Sequence, residues 1–146
     1  MDSLSNLAVS TLAQIGRVTS TTESLQNERL SLARILDECE RTRSTVLQIQ
    51  NLVLKDEDLV IEEAYSRAVI EEHAAVLRTC SSTFITINEQ LAKLETDEEK
   101  SKRSSLFGKK LRSLFGPSQD VQIETIFHSV QSQTIAIGLL LHELQA

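Results

Sequence analysis

Three histidines, two cysteines and adjacent glutamates such as Glu62-Glu63 and Glu71-Glu72 are the residues of this 146-residue chain best suited to acid–base, nucleophilic or metal chemistry. Their spacing argues against each of these roles. His73, His128 and His142 fit no H-E-x-x-H pattern, and Cys39 and Cys80 form no C-x-x-C, so zinc lacks its usual ligand spacing. His128 and His142 fall near one face of a helix but bring no further ligand. His73 sits on an apolar stripe and reads as a packed, hydrogen-bonded core histidine. Glu62-Glu63 and Glu71-Glu72 are neighbours in sequence, and neighbouring helical residues point about 100° apart. Neither pair converges as a dyad, and a solvated helix face explains both. The chain contains no G-x-G-x-x-G, no G-x-x-x-x-G-K-[ST] and no G-x-S-x-G. The expectation is a protein that is not an enzyme, with no metal, no cofactor and no small-molecule substrate.

Residues 100–119 carry the most specific signal. They hold Lys100, Lys102, Arg103, Lys109, Lys110 and Arg112 and no acid. The whole chain is −6, so the rest of it carries −12. Within this run Ser105-Leu106-Phe107-Gly108 recurs as Ser113-Leu114-Phe115-Gly116. Cations interleaved with Leu and Phe suit an anionic surface, with membrane phospholipid the first candidate. The expected contacts are the six cations together with Phe107 and Phe115. The competing reading is a solvated linker between helices. Nucleic acid is disfavoured, because the acidic remainder would repel a phosphate backbone.

These groups need elements to hold them, and the composition supplies helices. The chain is 40% apolar and 25% charged, a globular balance, with 3% aromatics, four Gly and one Pro. A β-rich fold needs more turn residues and aromatics. Four stripes repeat at alternating steps of three and four. The first is Leu4, Ala8, Thr11, Ile15 and Val18, widened by Leu7 and Leu12. The second is Leu32, Ile35, Cys39, Thr42, Val46, Ile49 and Val53. The third is Val69, His73, Val76, Cys80, Thr83, Ile87, Leu91 and Leu94. The fourth is Ile123, Phe127, Val130, Thr134, Ile137, Leu141 and Leu144. They predict one all-α domain over residues 1–146, an up-and-down bundle of four main helices with short additional helical pieces. A coiled-coil oligomer is the alternative.

Several boundaries are legible as well. Ser20 to Glu23 fits a capping box, which would restart a helix near residue 21. Asp56, Glu57 and Asp58 suit a helix's first turn. A helix from there to Leu94 would reach about 55 Å, longer than its partners could cover, so a break is expected between residues 64 and 69. Gly116-Pro117 should stop any helix formed by the basic run, leaving Ser118 or Asp120 to cap the last one. The cysteines read as two reduced, packed thiols of a cytosolic protein. No apolar run is long enough to span a bilayer, and the N-terminus lacks a secretory h-region.

The two ends of the chain carry a resemblance. Met1-Asp2-Ser3-Leu4-Ser5, then Gly16-Arg17-Val18, is similar to the opening of the N-terminal domain of fungal STAND (NLR-like) proteins. Lys109-Lys110-Leu111-Arg112-Ser113-Leu114-Phe115, followed by residues 121–145, resembles that family's basic Leu/Phe segment and final helix. The chain departs from the pattern at Ser3, often Pro, and at Ser113-Leu114-Phe115, often Trp-Pro-Phe. The middle of the chain matches poorly. The resemblance implies a HeLo-like bundle acting as a signalling or cell-death effector, which self-associates on activation and engages membrane through its first helix. The effector residues would be Leu4, Leu7, Leu12, Ile15 and Val18. A cytoplasmic protein, peripheral at membrane, is then expected. A helical interaction domain that never touches membrane is the alternative.

Overall fold

The computed structural model describes residues 3–26, 32–57, 67–103 and 105–145, with side chains described over 3–25, 32–53, 68–94 and 121–145. Four helices make up the described chain: α1 (Leu4–Gln26), α2 (Leu32–Glu57), α3 (Arg67–Arg103) and α4 (Ser105–Gln145). Among the described residues there is no strand and no additional short helix. The fold is the all-α four-helix bundle that the stripes predict.

Helix directions follow from contacts between helices. The Thr11 hydroxyl lies 3.2 Å from the Leu77 carbonyl, and Thr21 bonds Asn88 at 2.7 Å, so α1 and α3 run parallel. Arg34 meets Glu124 and Thr42 meets Thr134, so α2 and α4 are parallel too. His73 near the start of α3 reaches Glu143 near the end of α4, which makes that pair antiparallel. The helices therefore alternate in direction along the chain. Around the bundle, α1 lies beside α2 and α3, and α4 closes the square against the same two. Consecutive α2 and α3 thus stand on a diagonal.

The core runs the length of the described bundle. Ile15, Val18, Ile35, Val46, Ile49, Leu77, Phe84, Ile87, Leu91, Ile126, Val130 and Ile137 are its large, fully enclosed side chains. The second stripe is buried at every position. The third is buried as expected at His73, Cys80, Ile87, Leu91 and Leu94 and differs at two positions. There Leu77 and Phe84 face inward, while Val76 and Thr83 lie at the boundary and widen the packed face. In the same way Ile126 and Leu140 join the fourth stripe, and Leu4, Phe127 and Leu141 are half-buried at the edge of the core.

Four boundary expectations change. Helix α1 runs unbroken through residues 20–23, and Thr22 and Leu25 continue its buried face, so no capping box restarts it. Asp56 and Glu57 end α2 instead of starting a helix. Helix α3 begins at Arg67, and residues 58–66 lie outside the described ones. At 37 residues α3 is about 55 Å long, so a helix of that length does form, displaced toward the C-terminus. Finally, α4 passes through Gly116-Pro117 without stopping. Proline removes one backbone donor, a local cost that the rest of a 41-residue helix outweighs. The cap expected at Ser118 or Asp120 is therefore absent. Among the described residues, Ser3 caps α1, its hydroxyl accepting the Asn6 N–H at 3.1 Å.

Candidate functional site

The expected site has two parts, the basic segment and α1, which the fold treats differently. Lys100, Lys102 and Arg103 close α3, while Phe107, Lys109, Lys110, Arg112 and Phe115 belong to the opening turns of α4. The segment expected to lie between helices is thus carried on helical backbone on both sides of Ser104. Its side chains lie outside the described ones. At 100° per residue Phe107, Leu111, Leu114 and Phe115 fall within one arc of α4, Lys109 falls opposite it, and Lys110 and Arg112 border it, about 40° from Leu114 and about 60° from Phe115. The register between α1 and α3 puts the end of α1 level with α3 near residue 93. Beyond that level α3 continues to Arg103 while α1 has ended.

Helix α1 is held in the bundle. Leu7, Ala8, Ile15, Val18 and Leu25 are buried, and Leu4 and Leu12 pack against the core from its edge. Two threonines tie it across. Thr11, fully enclosed, donates within reach of the Leu7 and Leu77 carbonyls, and Thr21 donates to Asn88 Oδ1. Val9 is the large apolar residue of α1 that faces solvent, 52% exposed. The apolar face assigned to membrane contact is therefore the face that α1 uses to fold. Among the described residues, no helix is long and apolar enough to cross a membrane.

The sequence reading passed over a polar cluster between α2 and α4. Glu38 is almost fully buried, and both of its carboxylate oxygens are satisfied. Arg41 donates to Oε1 at 2.8 Å, and Thr134 lies 3.2 Å from Oε2. Thr42 and Thr134 approach to 2.6 Å. A hydroxyl has one proton, so Thr42 donates to Thr134 when Thr134 donates to Glu38. The Arg41 charge offsets the cost of burying a carboxylate. Glu38 sits three residues after Ile35 and four before Thr42, on the buried stripe, and that spacing was the available signal.

Chemistry-bearing groups elsewhere are dispersed. Cys39 and Cys80 are free and fully enclosed, and burial pushes each thiol up to about 12; Thr19 bonds Cys39 and opposes that rise. Thiols held protonated are poor nucleophiles. On α4, Glu124, His128 and Ser132 follow at steps of four, and Glu124 stands 3.5 Å from His128. No hydrogen bond joins His128 to Ser132, and Glu124 also pairs with Arg34 at 2.9 Å. Arg34 in turn lies 4.1 Å over the Phe127 ring. His128, Ser129, Ser132, Gln133, Thr83 and Thr125 line an open groove of about 400 Å³ between α3 and α4. Among the described residues, no three of His, Cys, Asp and Glu come together as metal ligands. Comparison with protein-family models, with curated proteins and with solved structures gives no match to this chain.

Proposed function

We propose that this chain is a non-enzymatic signalling module, the N-terminal effector domain of a fungal NLR-like protein linked to cell death. It acts by self-association and by engaging anionic membrane from the cytoplasmic side. The observation that carries this reading is the basic Leu/Phe segment, six cations within twenty residues of a chain that is otherwise acidic. Its placement on the last turns of α3 and the first turns of α4 supports it, because Leu, Phe and cations interleaved there can meet an anionic surface together. A supporting feature is the threonine content of the α1 seam, since hydroxyls bonded to their own helix tolerate repacking better than an unpaired polar group. Activation would free α1, and several chains would bury its polar groups among themselves. Co-sedimentation with vesicles tests this. Binding to phosphatidylserine-containing vesicles but not to pure phosphatidylcholine is the expected result, and no binding to either removes the membrane role.

One observation favours the second reading, a helical interaction domain without membrane contact. Ile135 and Leu139 stand one turn apart on the outer face of α4, each 62% exposed. That pair suits a partner helix more than a charged headgroup layer.

A further inference from the structure

The repeat inside the basic segment has a feature that lipid binding alone does not require. Each copy of Ser-Leu-Phe-Gly places a lysine three residues before its serine, Lys102 before Ser105 and Lys110 before Ser113. A second cation stands closer in each case, Arg103 and Arg112, and leucine follows the serine. A cation at −3 with an apolar residue at +1 is the pattern that basophilic Ser/Thr kinases accept. Both serines are on α4, eight residues apart. That spacing puts them about 80° and about 12 Å apart on the helix. Gly108, Gly116 and Pro117 are the residues least favourable to helix, which lowers the cost of opening this stretch into a kinase cleft.

We infer that Ser105 and Ser113 are paired phosphoacceptor sites whose modification releases the basic segment from anionic membrane. This rests on the membrane reading above and supplies its regulation. In the reaction the serine Oγ attacks the γ-phosphorus of ATP. The Oγ–P bond forms as the bond to the β-bridging oxygen breaks, ADP leaves, and the hydroxyl proton passes to the kinase's base. The charge arithmetic favours a switch. Glu95, Asp97, Glu98 and Glu99 precede the six cations, so residues 95–119 sum to only +2. A phosphoserine carries about −1.5 to −2. Two of them turn the region negative, which is the electrostatic release known for polybasic membrane segments.

The full 146-residue chain would be incubated with the catalytic domain of a protein kinase C and Mg·ATP, mapped by mass spectrometry, and sedimented with phosphatidylserine-containing vesicles. The expected result is phosphate on Ser105 and Ser113, less of it in Lys102→Ala/Lys110→Ala, and about a hundredfold weaker vesicle binding that phosphatase restores. Ser105→Ala/Ser113→Ala should bind vesicles as the unmodified chain does and ignore the kinase. Phosphate on neither serine, or doubly phosphorylated protein that sediments unchanged, overturns the inference. The two failures separate cleanly. An unmodified chain that never sediments refutes the membrane reading and the release with it, whereas binding that survives phosphorylation refutes only the switch.

Discussion

The Thr134 hydroxyl on α4 lies 3.2 Å from the Glu38 carboxylate on α2, in a core whose large side chains are mostly aliphatic. Two parallel helices with aliphatic faces could slide by a turn at little cost. A buried carboxylate that finds its donor at one register only removes that freedom. Thr134→Val keeps the shape and strands one oxygen of Glu38. We predict a loss of about 1–3 kcal/mol, read from urea melts. Glu38→Met, which removes the need for a partner, should be near neutral or stabilising. Equal stability of Thr134→Val and the parent chain would show that this contact does not hold α2 to α4.

Val130 on α4 is fully enclosed among the helices. We predict that Val130→Asp places an unpaired charge there and costs roughly 3 kcal/mol or more. A circular-dichroism melt that matches the parent chain would contradict the packing of α4.

The α2 stripe was readable because it is a strict repeat, and every member from Leu32 to Val53 is buried. The α3 stripe was readable at His73, Cys80, Ile87, Leu91 and Leu94 but not at Val76 and Thr83. Val76 and Leu77 are both apolar, and which one turns inward depends on where α1 and α4 sit, a tertiary fact absent from local periodicity. Pro117 was read as a stop because proline is locally unfavourable, yet helix on both sides carries α4 through it. Glu38 went unnoticed for a different reason. A glutamate on a stripe looks like an interruption until Thr134, 96 residues away, is brought beside it. The basic segment was the reverse case, since its composition is plain in the sequence while the fold places it only as helical backbone at the end of α3 and the start of α4.

The buried thiols give a pH window. Both Cys39 and Cys80 are pushed from 9.0 up to about 12, mainly by desolvation. The raised value means the folded chain keeps its protons where the unfolded chain loses them. The contribution is whole below pH 9 and falls as pH rises toward about 12, by about 1.4 kcal/mol per unit for each thiol. We predict that neither thiol reacts with a maleimide in the native chain at pH 8 and that both react in urea. Rapid native labelling would mean the core opens around them.

Charge reversal tests the surface assigned to lipid. We predict that Lys109→Glu/Lys110→Glu/Arg112→Glu abolishes sedimentation with phosphatidylserine-containing vesicles, because each cation near such a surface contributes about 1 kcal/mol. Binding by the parent chain should weaken as salt rises, since exposed charges are screened within about 10 Å at 0.1 M. Binding that is indifferent to both changes would mean the segment serves only to join α3 to α4.

The hardest question is whether α1 leaves the bundle. Deleting residues 1–18 cannot answer it. Leu7, Ile15 and Val18 fill the space between α2 and α3, so the deletion would expose both neighbours and unfold the chain. A lock is cleaner. The Thr21 and Asn88 side chains meet at 2.7 Å across the α1–α3 seam, and a disulfide joining Thr21→Cys to Asn88→Cys would fix α1 where it lies. The native cysteines are enclosed and would not compete. We predict that the oxidised variant melts no lower than the parent, fails to associate with anionic vesicles, and regains association on reduction. If the locked chain associates as well as the reduced one, α1 stays packed during membrane contact. Its apolar face is then structural, and the exposed Ile135 and Leu139 of α4 become the better place to seek a partner.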